Sequence, residues 1–560
     1  MTETYTAVLS VHGIGRHRRH ANAGALLAAL EAVAGTNDHR DLHTIIKVKP
    51  GVEPPRDARL TADVPMLQLR KAQRHHKKLF VGGSYRIYEV NWSPATRERL
   101  PIRSMMRWSI ALLAATLRCD PSSWLSWPRL RLARLRLASE QAHSSGERHA
   151  FAVLASAYRN YRGSLGAQHR RSSAAKPSFG DFVAFAKTHA KTAATPEALD
   201  AAARSWRDTV MPAERSVRSA GWRALAGLAI LNLTLIASLA PSIADAGLSG
   251  AFAAVTQAGL GLALLACLVV GLRFLTTIFS DVRYWTALSE NDGHHETRND
   301  ILDRTVAMIR HLVSDPNCTR VVIVSHSLGT AIAYDALRAI GMHNLARKGV
   351  SAEQVRIRKL DVLITMGSPI DKLSLLFETT ESESFREELL RDDLRGDLTE
   401  EPFWVGDRQR IKWINFWDPA DPISDPLKGP LGTKPLGDRF RETSIENVRV
   451  VNTKIQSAAA SHTGYLANAE VAGRIFDEIF RSSNFEVIEP RDYAQTRRWS
   501  RISMTLAFVG VTSTLLGFVA LQAPVHALVS RSLLYAGSVG IALSALSVLV
   551  VLAIDRCQNR

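Results

Sequence analysis

Residues 320 to 330, RVVIVSHSLGT, run a β-branched apolar stretch directly into a small-His-Ser-x-Gly turn. A short run of this kind, bounded by a turn, reads as a buried strand. The residues that follow, TAIAYDALRAI, carry apolar side chains at helical spacing, so the chain must pass from strand to helix at Ser327. A turn that sharp strains the backbone at its apex and lifts one hydroxyl clear of its surroundings. It demands small residues two places before and two places after. Ser325 and Gly329 hold those places, Ser325 departing from the glycine usual at the first. Ser327 is therefore a candidate nucleophile at an elbow. The N–H of Leu328, at the start of the helix, is a candidate oxyanion donor. An ordinary strand-turn-helix connection would carry much of the same pattern, so other segments have to decide.

A serine hydroxyl is a weak nucleophile until a base takes its proton and a carboxylate orients that base. Residues 411 to 424, IKWINFWDPADPIS, form an apolar strand ending in two Asp-Pro pairs. Asp418 and Asp421 are thus the acid candidates, although Asp-Pro also starts turns with no chemistry attached. Residues 454 to 480 place His462 in a small-residue loop ahead of an amphipathic helix, as the candidate base. His326, beside the nucleophile, is expected to point away from it. At the N-terminus, TYTAVLSVHGIGRH is an apolar strand ending in a glycine-rich turn, and the N–H groups of Gly13 and Ile14 are free there to face a developing oxyanion. A phosphate-binding loop is disfavoured, because neither G-K-[ST] nor G-x-G-x-x-G spacing is present.

Together VHGIG, SHSLG, the DPADPIS loop and SHTGY resemble the α/β-hydrolase superfamily, and within it the lipase-like serine hydrolases, across residues 5 to 95 and 280 to 485. The resemblance implies an α/β fold, a mostly parallel sheet flanked by helices, with Ser327, Asp421 and His462 meeting at the carboxyl ends of the strands. It favours Asp421 over Asp418, since the D-P-I context is similar to the acid-bearing loop of many lipases. SYRIYEVNW at 84 to 92 and KLDVLITMGSPI at 359 to 370 supply further strands, the second ending in a turn near the site. The activity implied is hydrolysis of an ester or thioester, of a lipid or other acyl compound, through an acyl-enzyme. An inactive membrane scaffold on the same fold, or a serine peptidase, is the alternative.

Hydrophobic length is the second constraint. Between Arg223 and Arg273 the only charge is Asp245, and residues 502 to 530 and 532 to 554 are also free of Asp, Glu, Lys and Arg. Each of the four runs exceeds the roughly 20 residues needed to cross a bilayer. They read as two transmembrane hairpins, with Arg215, Arg218, Arg223, Arg273 and Arg283 flanking the first and Arg497, Arg498, Arg501, Arg556 and Arg560 flanking the second. By the positive-inside rule, both hairpins begin and end in the cytoplasm. No signal-peptide pattern precedes the first strand. The chain is thus expected to be an integral protein of a bacterial inner membrane, its hydrolase domain and both termini cytoplasmic.

The formal charge of +17 is unevenly spread, since residues 97 to 223 hold 22 Lys and Arg against 9 Asp and Glu. Trp and Leu interleave with the arginines there, for example in RLRLARLRL at 129 to 137. This favours anionic lipid headgroups over nucleic acid as the partner. The expected partners are membrane lipid and an acyl-ester substrate. No cofactor or metal is expected: the four cysteines show no zinc-motif spacing, and the His-rich patches at 17 to 20, 74 to 78 and 293 to 296 read as solvated basic loops. The divisions are 1–96, the N-terminal part of the hydrolase domain; 97–222, a basic helical insertion; 223–273, the first hairpin; 274–490, the part bearing elbow, acid and histidine; and 491–560, the second hairpin.

Overall fold

The structure is a computed structural model. It describes residues 4–36 except 16 and 19, 46–71 except 61 and 62, 84–96, 179–190, 195–204, 280–348, 354–373, 401–405, 408–421, 445–453 and 458–481. A few isolated positions elsewhere are also described. Both expected membrane hairpins, and most of the 97–222 insertion, lie outside the described residues. Among the described residues no helix is long and apolar enough to cross a membrane.

The strands are β1 (Tyr5–Val11), β2 (Ile46–Glu53), β3 (Val64–Lys71), β4 (Ser84–Val90), β5 (Cys318–His326), β6 (Leu360–Met366), β7 (Trp404–Val405), β8 (Arg408–Gln409), β9 (Lys412–Trp417) and β10 (Ile445–Arg449). The helices used below are α1 (Ala21–Thr36), α2 (Phe179–Ala190), α3 (His295–Ser314), α4 (Leu328–Ala346), α5 (Ala458–Thr463) and α6 (Ala469–Phe480). Eight strands form one sheet in the order β10-β9-β6-β5-β1-β4-β3-β2, while β7 and β8 make a separate two-stranded ribbon. From β10 to β4 all neighbours are parallel, and β3 alone runs against the rest. The expected strands at 84–92 and 359–370 are β4 and β6.

The central strands are apolar on both faces because both faces are covered. Val321 and Ile323 of β5 join one core with Leu9 of β1, Leu312 of α3 and Ile332 and Leu337 of α4. Val322 and Val324 join the other, with Val8 of β1, Leu26 and Leu30 of α1 and Ile475 and Phe476 of α6. A buried Arg298–Asp335 ion pair ties α3 to α4.

Strand order reverses at β1. The N-terminal strands β4, β3 and β2 lie to one side of it, and β5, β6, β9 and β10 to the other. Right-handed crossovers running in opposite directions put their helices on opposite faces, which accounts for α1 and α4 lying in different cores. The carboxyl ends of β1 and β5 flank this reversal, where sheets of this kind open a crevice.

Candidate active site

Ser327 is the single residue between β5 and α4, with φ 53° and ψ −131°. A positive φ is costly for a residue bearing a Cβ and persists only when the surroundings enforce it. Here the Ser327 N–H donates to the Met366 C=O at 2.9 Å, and its own C=O accepts from the Thr330 hydroxyl at 2.7 Å. A Cβ on Gly329 would lie 2.4 Å from the His12 carbonyl oxygen and 2.5 Å from that of Val11, so β1 passes too close for any side chain. Ser325 is fully buried, and its Oγ donates to the Ile364 C=O at 2.9 Å. The departure from glycine is therefore housed by a bond to β6.

His462, in the last turn of α5, reaches Ser327 Oγ with Nε2 at 2.8 Å and Asp421 Oδ2 with Nδ1 at 2.9 Å. An ionised carboxylate can only accept, so Nδ1 carries the proton and Nε2 is left to accept from the serine hydroxyl. Asp421 Oδ1 accepts from the Ile423 N–H at 2.9 Å, and Oδ2 also accepts from the Tyr465 hydroxyl at 2.9 Å. Burial by itself would raise the Asp421 carboxyl. The hydrogen bond and charge of His462, with the two further donors, outweigh it and hold the group below the usual carboxylate range. Burial and the neighbouring Asp421 push the Tyr465 phenol well up, which keeps it a donor.

Asp418 has a different job. Its Oδ1 accepts from the Ala420 N–H and its Oδ2 from the Asn452 N–H, both at 2.8 Å. Asn452 Nδ2 in turn donates to the Ser461 C=O at 2.6 Å, one residue before His462.

His326 does not point away from the site as expected. Its Nε2–H donates to the backbone C=O of His462 at 2.8 Å, and the two rings lie 5.0 Å apart. Burial and the nearby His462 push its pKa down to about 4, so the ring is neutral and works as a donor. His326 continues the face of Val322 and Val324, the one covered by α1 and α6, and that face carries its ring to the His462 backbone and to 5.9 Å from the Tyr465 ring.

The turn after β1 lies against the elbow. A Cβ on Gly13 would fall 2.6 Å from that of Ser327. The His12 C=O accepts from Trp92 Nε1 at 3.0 Å, and the His12 ring stacks on Trp92 at 4.6 Å. Burial, then the adjacent His17, lower His12 to about 3, so this ring is neutral too. Neither Gly13 N–H nor Ile14 N–H has an acceptor among the described residues. The Leu328 N–H begins α4, where no intrahelical acceptor exists. Three donors thus cluster around the elbow. The arrangement can take a proton from Ser327 as its oxygen attacks an electrophile, and can meet the negative charge that develops.

Residues to which the sequence assigns no role also shape the site. Gly367, at φ 61°, sits where a Cβ would lie 2.9 Å from Tyr465 Cε2 and 3.2 Å from Asp421 Oδ2 and His462 Cε1. Its signal was the Gly-Ser-Pro turn after β6. Tyr465 was visible only as part of SHTGY, and Trp92 and Asn452 carried no local signal. The histidine patches are less solvated than expected. His295 is buried with Nδ1 3.2 Å from the Ala287 C=O, and His17 packs on His12 at 4.3 Å between ring centres. The 74–78 patch lies outside the described residues. Among the described residues no group of His, Cys, Asp and Glu could hold a metal ion. Compared with known protein families, curated proteins and solved structures, the chain matches none.

Proposed function

We propose that this protein is a serine hydrolase of α/β-hydrolase type that cleaves an ester or thioester, with a membrane lipid or other acyl compound as substrate. The observation that carries the reading is the unbroken hydrogen-bond chain from Ser327 through His462 to Asp421, with the serine held at a positive φ. In the first half-reaction, Ser327 Oγ bonds to the substrate carbonyl carbon and its proton passes to His462 Nε2. The oxyanion faces the N–H groups of Leu328, Gly13 and Ile14. His462 then protonates the departing alcohol or thiol, leaving an acyl-serine. Water, deprotonated by the same imidazole, releases the acid and restores the hydroxyl. Asp421 holds the tautomer and balances the imidazolium charge.

The lipid preference rests on the four long uncharged runs and the basic, Trp-containing segment before the first of them. With arginines flanking both hairpins, the hydrolase domain faces the cytoplasm, anchored to the membrane on which its substrate resides. Full-length protein in lipid vesicles should label with a fluorophosphonate probe at Ser327, and Ser327→Ala should abolish both labelling and turnover across a lipid and acyl-ester panel. Folded wild type that neither labels nor hydrolyses any member would overturn the assignment in favour of a non-catalytic scaffold.

A further inference from the structure

The turn after β1 is fixed chiefly through its carbonyls. Those of His12, Gly13, Ile14 and Gly15 accept, in order, from Trp92 Nε1 at 3.0 Å, His12 Nδ1 at 2.8 Å, His17 Nε2 at 3.3 Å and Ser93 Oγ at 3.4 Å. In a planar trans peptide the N–H points opposite the C=O, so each bond also aims the N–H of the next residue. The Gly15 N–H is the one in this run that is itself anchored. It donates to Asp281 Oδ2 at 2.8 Å.

Two further facts give that bond weight. Gly15 has φ 109°, and a Cβ there would meet nothing within 4 Å. The glycine is thus required by backbone conformation rather than by crowding. Asp281 is 5 % exposed and comes from a helical stretch over 280–285, 266 positions away and separated by a loop from α3. A buried carboxylate placed on a backbone N–H at the mouth of the reversal point makes a charge-assisted bond, among the stronger kinds available to a turn.

We infer that Asp281 is a positioning residue: acting through Gly15, its carboxylate fixes the turn so that the Gly13 and Ile14 N–H groups face Ser327 Oγ. The inference rests on the proposed hydrolase function. What the role requires is an acceptor oxygen at the carboxylate position, and Asn supplies one while Ala does not.

The test uses full-length protein in lipid vesicles with p-nitrophenyl butyrate, following kcat and KM separately. Asp281→Ala should lower kcat about 10²-fold, within the range seen when an oxyanion donor is lost, with KM changed less than about twofold. Asp281→Asn should recover most of that loss. If the alanine variant fails to fold, Asp281→Ser, which shortens the reach to Gly15, carries the same expectation. An unchanged kcat, a loss confined to KM, or an Asn variant as impaired as Ala would overturn the inference alone. A wild type no faster than Ser327→Ala would overturn the hydrolase function with it.

Discussion

At the end of β9, Asp421 receives the Nδ1–H of His462, while Asp418, three residues earlier, spends both oxygens on the N–H groups of Ala420 and Asn452. The two variants should separate cleanly. Asp421→Asn is expected to lose about 10³ to 10⁴ in kcat, because the amide can donate to Nδ1 and select the wrong tautomer. Asp418→Asn leaves a half-buried N–H without its acceptor, at a cost of about 1 kcal/mol in stability, with a much smaller fall in kcat. Steady-state kinetics beside thermal unfolding of each protein checks both. Both residues are Asp-Pro on one loop, and in the sequence only the lipase-like D-P-I context favours Asp421. The difference lies in where the ring of His462 arrives, and that is set by Asn452, Tyr465 and Gly367 on three other segments. Ser327, Gly329 and Gly13 are readable because steric demand at a sharp turn falls on residue types, whereas the expectation that His326 points away from the site fails because its face of β5 is the one on which His462 sits.

Helix α6 shows how an element can hold chemistry in place without taking part. Val471, Ala472, Ile475, Phe476, Ile479 and Phe480 are buried at helical spacing, and Asn468 caps the N-terminus by accepting from the Glu470 N–H at 3.0 Å. The helix lies in the core shared with α1 and follows the His462 segment by a few residues. Ile475→Ala should therefore cost about 2–5 kcal/mol of unfolding free energy while the folded fraction keeps its kcat. Denaturant unfolding with activity normalised to folded protein would show it. A matching fall in normalised kcat would mean that α6 packing also sets the angle of His462. The strands legible in the sequence are those of the sheet centre, whose two covered faces impose continuous apolar runs. The edges were not legible. β2 contains Pro50 and Gly51, tolerated where, among the described residues, one side of a strand has no partner. β10 exposes Glu446, Asn447 and Arg449.

Over the whole molecule, burial sets a pH dependence of stability. Desolvation lowers His12 to about 3 and His326 to about 4, and also lowers His311. Each sits below the unfolded value of about 6.5, so between the two values the unfolded chain binds more protons and stability rises with pH. Their contribution is complete above about pH 6.5 and declines as pH falls toward the folded values. Glu53 and Asp315 act in the same direction at lower pH. Burial would raise both, but hydrogen bonds from Tyr88 and Arg56 to Glu53, and from Tyr5 and the Asn317 N–H to Asp315, with the nearby arginine charges, hold them below the ordinary range. Denaturant midpoints should therefore drop from pH 7.5 to pH 5 and more steeply below about pH 4, and His326→Gln should flatten the first portion. A midpoint flat between pH 7.5 and 5 would contradict burial of these rings in neutral form. The elbow, the glycine turn after β1, the individual central strands and the four long uncharged runs are written in the sequence, because sterics and hydrophobic periodicity act between neighbours in the chain, while the α/β plan is what the resemblance implies. The fold brings His462 onto Asp421, the residue its D-P-I context favours, and it alone reveals that His326 grips the His462 backbone and that Asp281 reaches Gly15. Hydrogen bonds between segments tens to hundreds of residues apart are written in three-dimensional distances, and no local pattern encodes those.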